Sequence, residues 1–330
     1  MTSSPHTRLW LVILFLITLA LSLLRYSADR SITGSFSLAW PDNSIAHFRL
    51  TALIIALIVG ANLALSGLFL QSLLRNPLAE PFILGLSSGA GLGVMIALYV
   101  GHVMKLGDLS ASSQTLPAVA GSLATLAIVF ALSHRRRVLD PVSLILIGTV
   151  CSTIAGAGIM FFQHLVPTGL RAEFTTWLMG FIPEVASPSF LFASASLTFF
   201  AIIVGLVLAK SMDAATLGDD EARSVGLHLP RFRAILFTLA GILAAVTVAL
   251  AGPIGFVGLV APHASRFILG PRHAPLVIAS ACIGASIILA ADSFRQMLDF
   301  GAGRMPIGIL TALFGGPVFI YLLLSGRGRA

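Results

Sequence analysis

The sequence predicts an all-α polytopic membrane protein of about ten transmembrane helices, with an inverted internal repeat and both termini cytoplasmic. Three observations carry that expectation. Hydrophobic residues make up 57% of the 330 positions and charged residues only 10%, at a mean hydropathy of +0.98, whereas a soluble domain is nearer a quarter charged. The apolar residues fall into ten runs of about spanning length. One segment recurs late in the chain, 185 positions further on. Because spans of roughly 20 residues consume most of the length, residues 1–330 read as one transmembrane domain. Its parts are a first repeat at about 47–165, a charged loop at about 211–231 and a second repeat at about 232–325.

The first apolar run, 9–25, follows Arg8. No Ala-x-Ala-like site closes it, so it is expected to be retained as the first helix. Further runs lie at about 50–73, 82–101, 116–133, 142–163, 189–209, 234–251, 253–269, 274–291 and 306–324. The eighth is short and rich in Gly and Pro. Between the fifth and sixth, "LRAEFTTWLMGFIPE" (170–184) is amphipathic and suits an interfacial or re-entrant segment. Cys151 and Cys282 both sit inside apolar runs, where thiols act as small packing residues rather than as a disulfide or metal site.

Lys and Arg set the orientation. With the termini inside, twelve fall in the cytoplasmic set (Arg8, Arg75, Arg135, Arg136, Arg137, Lys210, Arg223, Arg231, Arg233, Arg272, Arg327, Arg329) and seven in the outer set (Arg25, Arg30, Arg49, Lys105, Arg171, Arg295, Arg304). The net charge of +7 is therefore topological, and no nucleic-acid partner is expected; the surroundings are membrane lipid. The repeat pairs "ALSGLFLQSLLRNPLAEPFILG" (64–85) with "ALAGPIGFVGLVAPHASRFILG" (249–270), identical at ten of 22 positions without a gap. Five runs separate the two starting helices, so the copies have opposite orientation, as transporter repeats do.

The chemistry the chain lacks is equally informative. A phosphate loop needs Gly-Lys-Ser/Thr, but the two lysines, Lys105 and Lys210, follow Met104 and Ala209. An ion-coupled carrier keeps ionisable residues inside its spans, at roughly 2.5–3.5 kcal/mol each. Here Glu80 and Asp292 sit only at run ends. "GLSSG" (85–89) fits a nucleophile-elbow pattern around Ser87, but it leads into an apolar helix and has no evident His/Asp pair. It suits close helix packing instead. His263, beside Pro262, is expected to satisfy carbonyls freed by the proline. An energy source on a separate chain follows. An ion-coupled secondary transporter is the alternative, and a membrane-embedded enzyme would rest on Ser87 alone.

Against this oily background stands "TLGDDEARSVGLHLPRFR" (216–233). Asp219, Asp220 and Glu221 begin a short helix, where its dipole favours them, and Arg223 follows within a turn. Gly226 is placed to stop it and Pro230 starts the next element. A rigid, charged knob of this kind on the cytoplasmic face is what a separate motor could grip. In the fifth run, Thr149, Ser152, Thr153 and Gly156 recur at spacings of three and four, which places them largely on one face. That face is expected to line a translocation pathway, with Ser87 and Ser88 placed alongside it.

Four blocks carry a resemblance: "RLTALIIALIVGANLALSGLFLQSLLRNPLAEPFILGLSSGAGLG", "LGDDEARSVGL", "VALAGPIGFVGLVAPHASR" and "PIGILTALFGGPVFIYLL". In order from Arg49 to Leu324, they resemble the FecCD permeases of iron-siderophore, haem and cobalamin ABC importers. The resemblance implies a chain in the bacterial cytoplasmic (inner) membrane that pairs with a second permease, identical or related. It also implies two cytoplasmic ATPase subunits, which use ATP and Mg, and an extracytoplasmic binding protein; no cofactor is expected on this chain itself. The loop matching "LGDDEARSVGL" would be the ATPase-coupling element, with Leu217, Gly218, Asp220, Glu221, Ala222, Arg223, Gly226 and Leu227. Outer arginines would meet acids of the binding protein; here they are Arg49, Arg295 and Arg304. The chain departs twice from the family pattern: Ala52 stands where a second arginine is common, and Arg304-Met305-Pro306 replaces Glu-Leu-Pro. The docking charges are expected to differ accordingly.

Overall fold

A computed structural model of the chain describes residues 5–30, 36–105, 114–135, 138–297 and 305–326. Twelve α-helices fall within them: α1 (Pro5–Ser27), α2 (Asn43–Leu74), α3 (Leu86–Met104), α4 (Thr115–Leu132), α5 (Pro141–Leu165), α6 (Thr168–Leu178), α7 (Pro188–Ala215), α8 (Asp219–Ser224), α9 (Leu229–Ala251), α10 (Val257–Leu269), α11 (His273–Met297) and α12 (Ile307–Gly326). Each of the ten apolar runs coincides with a helix. The other two helices, α6 and α8, lie in the amphipathic segment and the charged loop. Eight helices are long and apolar enough to cross a bilayer, and α10 and α12 are shorter apolar ones. Two small antiparallel hairpins punctuate the chain, β1 (Ala28–Arg30) with β2 (Phe36–Leu38) and β3 (His134–Arg135) with β4 (Val138–Leu139).

The bundle is built around α2. Within its most apolar stretch 83% of residues are buried, and 72% in α9, against 6% in α1 and 17% in both α5 and α7. Water does not drive helices together in lipid, so small residues that admit close backbone contact decide which helices pack. Gly67 of α2 is one such point: the Gly258 backbone of α10 fills the space a Cβ would need. Ser66 beside it donates to the Ala240 carbonyl of α9 at 2.7 Å, so α2 holds both neighbours from adjacent positions.

The two repeat copies meet here and diverge in shape. In the first copy α2 continues through Gly67 to Leu74. In the second, α9 ends at Ala251 and the equivalent Gly252 turns to φ +70°. The second copy has Pro253 where the first has Leu68, and proline cannot continue the hydrogen-bond ladder. The chain re-enters a helix only at Val257. Both copies still close on a glycine in the left-handed region, Gly85 at φ +78° and Gly270 at φ +80°. Pro262 removes the partner of the Gly258 carbonyl, and Gln71 Nε2 of the first copy donates to that oxygen at 3.3 Å. Gln71 thus meets that oxygen, and the ring of His263 stands edge-on to Phe319 at 5.9 Å.

The segment after α6 folds back into the bundle. Phe181 N–H donates to Ala251 O at 2.8 Å, and Ile307 and Gly308 N–H donate to Gly180 and Met179 O at 3.0 and 3.1 Å. Phe174 and Trp177 stack beneath it with centroids 6.0 Å apart. Polar contacts sort the ends of the bundle as the Lys/Arg count does. Arg75, Asp213, Asp219, Arg233, Arg266 and His273 are linked through neighbouring side chains at one end. Arg25, Arg49, Asp292 and Arg295 gather at the other.

Candidate functional site

The charged loop forms a docked helical knob. Gly218 has φ +138° and Gly226 φ +85°, conformations that only glycine adopts readily, and between them lies the single turn and a half of α8. Glu221 turns back over Gly218, where an added Cβ would collide with its carboxylate. Ala222 is fully buried in the bundle core. Its carbonyl accepts from Leu227 N–H at 3.0 Å, and Leu227 packs against the same core. Arg223 meets Asp220 at 3.1 Å on the exposed side, and Leu217 and Val225 stand exposed at either end. Five of the eight residues that the resemblance assigns to coupling, Leu217, Asp220, Glu221, Arg223 and Gly226, are thus exposed, while Gly218 lies under Glu221 and Ala222 and Leu227 pack against the core.

What docks the knob is Asp219. Both its oxygens accept from Arg233 of α9, at 2.8 and 2.9 Å, and one also meets Arg75 at the end of α2. Arg233 is buried, and it reaches on to the Leu139 carbonyl at 3.1 Å. The loop is therefore clamped to the ends of both central helices. A second acid, Asp213, accepts from the backbone N–H of His273 at 2.9 Å and from its ring Nδ1 at 2.7 Å; Ser72 of α2 meets Nε2 at 2.8 Å. The sequence offered no signal for these pairings beyond the presence of the acids.

The α5 face divides. Thr149 and Thr153 are exposed and return their hydroxyls to the carbonyls of Ile145 and Thr149, at 2.9 and 3.0 Å. Open space surrounds the Cα of Gly156. Ser152 instead faces inward: a Cβ on Gly85 would lie 3.0 Å from its hydroxyl. Ser87 and Ser88, in the first turn of α3, are both half-buried, and the enclosed Oγ of Ser87 has no hydrogen-bond partner.

Of the docking arginines, Arg295 is a correction. It is 4% exposed, donates to Asp292 at 2.5 Å and to the Ile182 carbonyl at 3.1 Å, and shares Asp292 with the buried Arg25. A charge so enclosed cannot meet a second protein. Arg49 is half-buried and donates to the Tyr26 carbonyl at 3.2 Å. Arg304 lies outside the described residues. Ala52, at the family's second arginine position, is wholly buried, so this chain has no room there for a docking charge.

Between α2 and α10, Glu80 accepts a hydrogen bond from Phe256 N–H at 2.7 Å. Burial pushes its carboxyl above the ordinary value and that bond opposes the shift. Phe256 itself is held at φ +69°.

A multi-pass helical bundle with a docked charged helix at one end and no phosphate loop defines a class, the membrane permease. The sequence pattern of the FecCD transport family matches residues 10–325, and the chain belongs to that family. It is 34% identical to the hemin transport system permease protein HmuU of Yersinia pestis over 98% of this chain and 97% of that one. It is 34% identical to the Fe(3+)-citrate import system permease protein YfmE of Bacillus subtilis over 95% and 92%. A metal-chelate type ABC transporter solved in an inward-facing conformation superposes with a TM-score of 0.82 at 29% identity, over 96% of this chain and 99% of that one. The chain is a multi-pass permease subunit of an ABC importer in the cytoplasmic membrane.

Proposed function

We propose that this permease moves an iron-siderophore or similarly bulky metal chelate inward, driven by ATP and Mg bound on two separate cytoplasmic ATPase subunits. An extracytoplasmic binding protein delivers the cargo and a second permease, identical or related, completes the channel. The cargo class rests on the relatives, whose names specify hemin and Fe(3+)-citrate.

The coupling role rests on one observation, the clamp of Asp219 to Arg75 and Arg233. Through it, a force on α8 reaches both central helices directly. The exposed surface for the ATPase is Leu217, Asp220, Glu221, Arg223 and Gly226. The pathway is lined by Thr149, Thr153 and Gly156 where α5 meets its counterpart in the second permease. Arg49 contributes to binding-protein docking, chiefly through the association rate.

The test uses Gly226→Trp and Glu221→Arg. Gly226 has open space around it, so the indole projects outward into the ATPase's place, while the left-handed backbone adds a local strain of about 1–2 kcal/mol. Both variants should remain inserted but lose ATPase co-purification and uptake. Full uptake with the ATPase retained in both would reduce α8 to a connector.

A further inference from the structure

At the end of the bundle that carries α8, a cavity of about 210 Å3 opens between the C-terminal ends of α2 and α10 and the start of α11. Arg75, Arg266, Gln71, Ser72, Asn76 and His273 stand in its walls. Two of these are guanidinium groups, and no carboxylate is among the lining residues. The two nearby acids are already engaged. Asp219 is held by Arg233 and Arg75, and Asp213 by the backbone and ring of His273.

Arg266 is the unusual member. It lies at the end of an apolar helix, and its guanidinium donates to the neutral amide oxygen of Gln71. Among the described residues it has no acid partner. A guanidinium has five N–H donors, so most of its donor capacity and its whole charge remain uncompensated in a half-enclosed site. Charges so placed are ordinarily paired. Arg75 closes α2 as its C-cap, at φ +49° with its N–H on the Gln71 carbonyl, and its guanidinium brings a second positive charge to the cavity wall.

We infer that this cavity binds a phosphate-type oxyanion, either inorganic phosphate or the phosphodiester of an anionic lipid headgroup. Guanidinium forks match the geometry of phosphate oxygens, and basic pockets between helices at the cytoplasmic membrane face suit anionic headgroups. Asn76 adds an amide to the wall, its oxygen accepting from Leu78 N–H at 2.9 Å and its NH2 group a further donor. The bound anion joins α2 to α10 through Arg75 and Arg266. Because Arg75 also holds Asp219, the site lies one residue from the clamp on α8. The assignment does not depend on which chelate the permease carries.

The experiment uses the full-length permease in two kinds of nanodisc. In neutral phosphatidylcholine discs, inorganic phosphate is titrated and its binding read by thermal shift and 31P NMR. In discs containing phosphatidylglycerol, native mass spectrometry counts the lipid retained after detergent release. Saturable phosphate binding identifies the free anion, and selective retention of phosphatidylglycerol identifies the lipid. Arg266→Gln should weaken whichever is found by about tenfold or more, as loss of a charge-assisted contact does. Arg266→Lys, which keeps the charge and loses the fork, should fall between the two. Should Arg266→Gln fail to insert, Arg266→Lys carries the comparison alone. Equal behaviour of wild type and variants in both arms overturns the assignment. So does a variant that leaves both arms unchanged while losing the ATPase partner, which would assign the cavity to an acidic side chain of that partner.

Discussion

Replacing Asp219 by Asn tests whether α8 is a docked lever or a free loop. The substitution keeps size and polarity but removes the charge shared by Arg233 and Arg75. Arg233 is 6% exposed and would keep the Leu139 carbonyl at 3.1 Å and one neutral amide oxygen in place of the carboxylate. Stranding a fully buried charge costs about 3–5 kcal/mol. The Asp219 side chain, however, is 32% exposed, so water relieves part of that loss, and the range for a charged hydrogen bond, about 1.5–3 kcal/mol, applies instead. A value of about 2 kcal/mol raises the undocked population of α8 about 30-fold. The control is one residue away. The Asp220 side chain is 93% exposed and pairs with Arg223 at 3.1 Å, a surface pair worth roughly 0.3 kcal/mol, so Asp220→Asn should change the population less than about twofold. Hydrogen exchange at the Ala222 and Leu227 amides, which bond Gly218 O at 3.1 Å and Ala222 O at 3.0 Å, reads the opening directly. If Asp219→Asn exchanges within twofold of wild type, or Asp220→Asn matches it, the clamp is not what holds α8 and the lever argument fails.

Cysteine at 149, 153 and 156 should react with a water-soluble thiol reagent in at least one transport state, and cysteine at 152 more slowly because that position faces Gly85; protection of all four in every state would place the α5 face against lipid or protein instead of a pathway. Asp292→Asn leaves Arg25 and Arg295 buried without a counter-charge, a loss of about 3–5 kcal/mol, and the monodisperse yield on size-exclusion chromatography should collapse; wild-type yield would show that the cluster is not structural. The carboxyl of Glu80 titrates above 4.5 when folded, so the folded state holds its proton more tightly than the unfolded chain. That contribution to stability is complete below about pH 4.5 and is lost as pH rises through the folded value. Glu80→Gln should therefore gain thermal stability relative to wild type as pH rises through that window, and parallel pH profiles for the two would rule out an ionising Glu80.

How much of this was legible in the sequence depends on the range of the interaction. Each of the ten apolar runs became a helix because a span is decided residue by residue, by transfer into lipid and by local backbone bonding. The charged stretch 219–224 became α8 for equally local reasons: acids at its start and left-handed glycines at both sides. The split of the α5 face was not legible, because helical spacing brings Ser152 beside Thr149 but does not say that Gly85 of another segment covers it. Arg295 read as an outer charge because it follows an apolar run. Its burial depends on Asp292 and on Arg25, which lies 267 positions from that acid. The clamp on α8 likewise joins Asp219 to Arg75 across 144 positions. Local hydropathy and periodicity determine which segments enter the membrane and where they end. Which charges are buried, and against what, is settled only when packing of small residues brings distant helix ends together, because a buried charge is tolerated only where a partner is already in place.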